Sequence, residues 1–194
     1  MSYVITIARE YASGGRLIAK DLAKRLGVPL LDRSIVEETA RQSGFTQDFI
    51  EQAAETRTSS LIYNLYLSAG ELPLSDKVFL LQSQIIKDTA KRESCIVVGR
   101  CADYVLREAP NLLKVFIHAP LNERIRRAQE QYNVEERHIE RFIASRDKER
   151  ASYYNYYSDS KWGQAKNYHI SIDSSIGIGL AADIIEKAVG GFLL

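Results

Sequence analysis

Two cysteines, three histidines and no long apolar run leave several chemistries without material. Cys95 and Cys101 bracket a predicted strand that holds them on the order of 20 Å apart, too far for a disulfide. Neither has metal-ligand spacing with any histidine, so both read as reduced thiols in or near the core. No segment approaches the 18 or so apolar residues of a membrane span, and the start shows no charged leader, so a cytoplasmic protein with no membrane partner is expected. Lysine and arginine total 26 against 25 acids, which excludes a nucleic-acid coat and an anionic lipid surface as the main partner. Any phosphate chemistry must be local. No internal repeat or low-complexity linker appears, and whether the chain forms a homo-oligomer is left open.

What is present is enough for one core. The 194 residues are 45% hydrophobic, which supports a single domain. Val4-Ile-Thr-Ile7 is a β-rich run followed by a glycine turn, then by Leu17, Ile18, Leu22 and Leu26 at helical spacing. Glycines 14 and 15 let backbone N–H groups approach an oxyanion, and a helix opening near Arg16 adds unpaired N–H groups and a positive dipole end. The natural guest is phosphate, with Arg9 and Arg16 beside it. Further strands are predicted at residues 28–31, 95–98, 113–117 and 168–172. Helices are predicted over 35–42 and 46–54, and the pattern stays helical from 59 to 93, with Val78, Leu81, Ile85, Ile86 and Thr89 on one face of its longest segment. A charged helical stretch runs from 121 to about 157, with Glu123 and Arg127 placed as a solvated i,i+4 pair. A closing helix follows a cap at Asp173-Ser-Ser175.

Strands alternating with helices imply a parallel sheet covered on both faces, with a ligand crevice at the carboxyl ends of the strands. Charged residues gather there: Arg9 and Arg16 after the first strand, Asp32 after the second, Arg100 and Asp103 after the third. Arg124 and Arg127, one helical turn apart, can present two guanidinium groups on one side of a helical lid, and Arg146 and Arg150 repeat the arrangement. This convergence favours a polyphosphate or nucleotide site.

The order of elements resembles a nucleoside monophosphate kinase, specifically the cytidylate kinase-like family. The pieces that carry the resemblance are Ile5-Thr-Ile-Ala-Arg-Glu-Tyr-Ala-Ser-Gly-Gly-Arg16, Ile18-Ala-Lys-Asp-Leu-Ala-Lys-Arg-Leu-Gly-Val-Pro29, the Leu31-Asp32 step, Val97-Val-Gly-Arg-Cys-Ala-Asp-Tyr104, and Arg146-Asp-Lys-Glu-Arg150. The resemblance implies a three-layer α/β/α P-loop fold with a parallel sheet of roughly five strands. Its core would span residues 1–32, 94–120 and 165–194, with a helical monophosphate-binding insertion over 33–93 and a lid over 121–160. It further implies transfer of the γ-phosphoryl of ATP to CMP or dCMP with Mg2+. Ser13, Gly14, Gly15 and Arg16 would hold ATP phosphates, Arg100 would meet the acceptor phosphate with Asp32, Asp103, Arg146 and Arg150 nearby, and Arg124 and Arg127 would act as catalytic lid arginines with Arg16.

Set without gaps against an orthodox cytidylate kinase loop, Gly15 stands where the phosphate-binding lysine belongs and Leu17 where a hydroxyl belongs. Arg9 or Arg16 would then supply the positive charge, and magnesium would rest on Asp32, Asp103 or water. Arg33 and Glu38 replace the serine and arginine used around cytidine monophosphate. The Ser-Gly-Gly-Arg loop characterises the cytidylate kinase-like branch. Three readings stay open: a nucleoside monophosphate kinase, a non-catalytic nucleotide-binding sensor, and a P-loop kinase for another small metabolite. Tyr11 could stack on a base but reads first as a packed or surface side chain beside the turn, and Trp162 with Tyr153 to Tyr157 as lid packing rather than recognition.

Overall fold

β-branched residues alternating toward two apolar layers make Val4–Arg9 the first strand, β1. Ile5 and Ile7 pack on one side with Ile18, Leu22, Ala181 and Ile185, while Val4 packs on the other with Leu31, Ile35, Ile86 and Val97. Burying each such side chain contributes about 1.5 to 3 kcal/mol, so β1 is fixed by its two faces. The computed structural model describes residues 2–44, 46 and 72–192.

After β1 come α1 (Gly15–Leu26), β2 (Leu30–Leu31), α2 (Arg33–Ser43), α3 (Leu74–Arg92), β3 (Cys95–Val98), α4 (Ala102–Val105) and β4 (Leu112–His118). Then follow α5 (Leu121–Tyr132), α6 (Ile139–Tyr157), β5 (Ile170–Asp173) and α7 (Ile178–Phe192). The five strands lie in the order β2-β3-β1-β4-β5, and every neighbouring pair is parallel. Helices α1 and α7 supply the first apolar layer, and α2, α3 and α4 supply the second. This is the predicted three-layer α/β/α architecture. β1 sits centrally, with Ile7 beside Val98 on one flank and Arg9 beside Ile117 on the other, so the loop after it opens between the ends of β3 and β4.

Several expectations need adjustment. β1 runs two residues past Ile7 and carries Arg9 at its end, whereas the second strand is only Leu30–Leu31. The charged stretch from residue 121 is two helices, because Asn133 takes a left-handed conformation (φ 52°) that closes α5. Glu123 pairs with Arg126, not with Arg127, which is buried. On α3, Val78 and Ile86 are buried as expected, but Gln82 and Ser83 share that face. The helix predicted over 46–54, beyond its first residue, and the helical reading over 59–71 lie outside the described residues. The cap at Asp173 is present as a side-chain oxygen accepting from the Ser175 N–H at 2.9 Å, and it opens a 3-10 turn ahead of α7. Among the described residues no helix is long and apolar enough to cross a membrane.

Candidate functional site

The loop from Glu10 to Gly14 is shaped by its own backbone and by buried side chains behind it. Ser13 N–H and Ser13 Oγ both donate to the Glu10 carbonyl, at 3.3 and 2.9 Å. Ser174 Oγ donates to the Ser13 carbonyl, and Ser13 is fully buried. Ala12 (φ 56°) and Gly14 (φ 84°) both take left-handed conformations, which turn the chain directly into α1. Gly14 caps that helix without a side-chain hydrogen bond. Among the described residues no acceptor takes the N–H groups of Ala12, Gly14, Gly15 or Arg16. A row of unsatisfied amides at a helix start is an anion seat.

A cavity of about 530 Å³ lies over this loop, walled by Ala12, Gly14, Gly15, Arg16, Asp32, Val36 and Tyr132. A second, of about 460 Å³, is walled by Gly99, Cys101, Asp103, Phe142, Arg146, Glu149, Tyr153, Tyr154 and Trp162. Arg9, Tyr11, Arg100 and Arg150 line both. The two cavities therefore meet at a seam of three guanidinium groups. Arg9 lies against Gly99, where a Cβ would overlap its Nη1. Burial first, then Arg150, pushes its pKa well below the ordinary arginine range, with Arg100 and Arg16 adding to the effect and Asp32 opposing it. Among the described residues neither Arg9 nor Arg100 forms an ion pair, whereas the nearby acids are engaged. Like charges held this close call for an anion between them.

Those acids have specific partners. Asp32 pairs with Arg16 at the mouth of the first cavity. Glu149 pairs with Arg146 at 2.9 Å, and the Arg146 guanidinium sits 5.0 Å from the centre of the Phe142 ring. Arg150 donates to the Arg9 carbonyl at 3.1 Å and sits 5.4 Å from the Tyr11 ring centre. Asp103 is 6% exposed and accepts from Tyr154 Oη at 2.7 Å. Its burial raises the carboxyl pKa, and the Tyr154 hydrogen bond only partly offsets this. The Tyr153 hydroxyl is buried with no partner among the described residues.

Arg9, Ser13, Gly14, Gly15, Arg16 and Asp32 are thus brought together at the loop, and Arg100, Asp103, Arg146 and Arg150 around the second cavity. Two details depart from a simple cradle: the Ser13 hydroxyl is turned back onto the backbone, and Asp103 is in the wall of the second cavity only. Arg124 and Arg127 line neither cavity. Both are buried; Arg124 pairs with Glu10 and Asp147, and Arg127 donates to the Ala12 carbonyl at 2.7 Å. Sequence reading missed Glu10, Phe142 and Tyr132, and took Tyr153, Tyr154 and Trp162 for packing. An aromatic run on a helix carries no mark of which rings face a cavity.

The unsatisfied amides and the seam arginines fit a triphosphate tail. The donor set for magnesium is thinner. Among the described residues no group of three or more acidic, histidine or cysteine side chains is placed to hold a metal. Asp32 and Glu10 are the carboxylates lining the loop cavity, and both are paired with arginine. A magnesium ion bound there would have Asp32 and Glu10 as nearby carboxylates and would draw its remaining ligands from phosphate and water.

Comparison with known proteins gives the family and the fold. The profile of the cytidylate kinase-like family matches residues 4–176. A crystal structure of an uncharacterized protein from Eubacterium ventriosum superposes with TM-score 0.75 at 27% identity, covering 97% of this chain and 99% of that one. Shikimate kinase from Acinetobacter baumannii, in complex with shikimate, superposes with TM-score 0.55 at 16% identity over 98% and 95% of the two chains. A gluconokinase from Sinorhizobium meliloti gives TM-score 0.54 at 15% identity over 98% and 91%. The last two share the P-loop kinase fold. No curated protein sequence matches the chain.

Proposed function

The chain belongs to the cytidylate kinase-like family, and from that premise we propose that it transfers the γ-phosphoryl group of ATP to a nucleoside monophosphate, with CMP and dCMP as the first acceptors. The observation that carries this reading is the seam: Arg9, Arg100 and Arg150 line both the cavity over the glycine loop and the cavity beside it. A phosphoryl group passing between two anionic substrates crosses such a boundary.

In this mechanism the β and γ phosphates rest on the amides of Gly14, Gly15 and Arg16, and Arg16 meets them from the cavity mouth. The acceptor phosphate occupies the second cavity against Arg100, with Arg146 and Arg150 close by and Asp103 further in. An acceptor phosphate oxygen attacks the γ phosphorus, the bond to the β–γ bridging oxygen breaks, and ADP leaves with that oxygen. No covalent enzyme intermediate is required; the protein positions both anions, offsets the charge spreading over the transferring group and excludes water. Magnesium, when bound on the phosphates, neutralises part of their charge.

The aromatic walls, Tyr11, Phe142, Tyr153 and Trp162, suit a flat acceptor with an apolar face. A second reading has its own support. Among the described residues no lysine lines either cavity, the Ser13 hydroxyl is occupied by the Glu10 carbonyl, and Arg124 and Arg127 are tied to protein atoms. These features favour a protein that binds nucleotide without turning it over.

A coupled assay of ADP formation with magnesium, run over CMP, dCMP, UMP, AMP and GMP and over shikimate and gluconate, separates the readings. Turnover with a nucleoside monophosphate supports the proposal. Turnover with a small acid alone assigns a metabolite kinase, and nucleotide binding without turnover on any acceptor assigns the sensor.

A further inference from the structure

We propose that Arg127 is a positioning residue that holds the phosphate loop in shape from behind, rather than an arginine that reaches across the transferring phosphoryl group. The inference rests on the loop being a phosphate seat, as the proposed function requires. Arg127 is 8% exposed and belongs to the wall of neither cavity. Its Nη1 donates to the Ala12 carbonyl at 2.7 Å, and its Nε and Cζ lie 3.4 Å from where a Cβ on Gly14 would stand. The guanidinium therefore backs directly onto the turn.

Ala12 is the position that needs holding. Its φ of 56° is left-handed, a conformation that a residue with a Cβ adopts at a steric cost. A carbonyl in such a turn, left unheld, can rotate toward the cavity and present its negative end where phosphate oxygens would sit. Arg127 draws that carbonyl to the far side with a charge-assisted hydrogen bond. The following amides, Gly14 to Arg16, are then left facing the loop cavity.

Arg124, one turn earlier on α5, grips the other end of the same turn. It pairs with Glu10 at 2.8 Å and with Asp147 at 2.7 Å, and Asp147 Oδ1 accepts the Tyr11 N–H at 2.6 Å. Glu10, Tyr11 and Ala12 are thus all fixed from α5 and α6, so loop shape and the placement of those two helices are coupled.

The test is calorimetric titration of inorganic tripolyphosphate and of ATP into the full chain, without an acceptor, alongside turnover. Arg127→Gln should weaken both ligands at least tenfold. Adding Ala12→Gly should recover at least a third of that loss on a logarithmic scale, because glycine holds a positive φ unaided. Should Arg127→Gln fail to fold, Arg127→Lys with and without Ala12→Gly carries the same comparison, since a single ammonium holds the carbonyl less firmly. Unchanged binding of both ligands with lost turnover would overturn the proposal and make Arg127 a catalytic residue. Weakened binding with no recovery on Ala12→Gly would overturn it in favour of direct contact with phosphate. A wild-type chain that binds neither ligand would remove the phosphate seat itself and the brace with it, a failure distinct from the other two.

Discussion

Arg124 lays both terminal nitrogens on one oxygen of Asp147, at 2.8 and 2.7 Å, across 23 residues of sequence. The same Nη1 reaches Glu10 at 2.8 Å. One buried cation therefore joins α5, α6 and the loop after β1, with a carboxylate on each side of it.

Removing that cation leaves two carboxylates facing each other in a partly dry site. Arg124→Met should destabilise the fold by about 3 kcal/mol, the low end for breaking a buried pair, because Glu10 and Asp147 keep some contact with water. Denaturant midpoints at constant m-value measure it. A loss under about 1 kcal/mol would mean that the three charges are solvated.

Gly99 stands at φ +73° with the Arg9 guanidinium against it. Gly99→Ala should cost about 1 to 2 kcal/mol of stability for the left-handed residue. It should also displace Arg9 from the seam, weakening tripolyphosphate binding severalfold. Wild-type affinity in a folded Gly99→Ala chain would show that Arg9 is not part of the anion site.

Burial raises the Asp103 carboxyl above its usual value of 3.8. A carboxyl that holds its proton more tightly when folded loses stability as pH rises from the ordinary aspartate range through its raised pKa. Asp103→Asn keeps an acceptor for Tyr154 without that loss. The variant should therefore melt higher than wild type at pH 7, with the gap closing as pH falls below the ordinary aspartate range. A gap independent of pH would mean that Asp103 titrates normally.

Asp32 and Arg16 oppose each other at the mouth of the loop cavity. Arg16→Ala should weaken ATP by about 1.5 to 3 kcal/mol, the range for a hydrogen bond to a charged group. Asp32→Asn should tighten ATP in EDTA, by removing a negative charge, and weaken it in magnesium if the carboxylate helps to hold the ion. Titrations in the two buffers read this crossover, and parallel shifts in both would exclude Asp32 from metal binding.

The sheet was legible because its strands are short runs rich in β-branched and apolar residues, and Ile5, Ile7, Ile96 and Val98 all pack on the predicted core. Positions at the strand ends were legible too: Arg9, Asp32 and Arg100 fall where β1, β2 and β3 stop, and all three line the loop cavity. Arg124 and Arg127 were a different matter. Periodicity places Arg124 and Arg127 on one face of α5, and solvent is the default neighbour of a charged face. Only the three-dimensional path of the loop, which brings Glu10 and the Ala12 carbonyl to that face, shows that they are buried. Ala12 at positive φ was equally hidden, since the adjacent Gly-Gly pair drew the turn reading to itself.

The adjacency of the two cavities is tested most directly by titrating an ATP–CMP bisubstrate analogue, the two nucleosides joined through a polyphosphate bridge, against ATP and CMP alone. If donor and acceptor seats meet at Arg9, Arg100 and Arg150, the analogue should bind about a hundredfold or more tighter than ATP. Binding no tighter than that of ATP would contradict a shared seam between donor and acceptor.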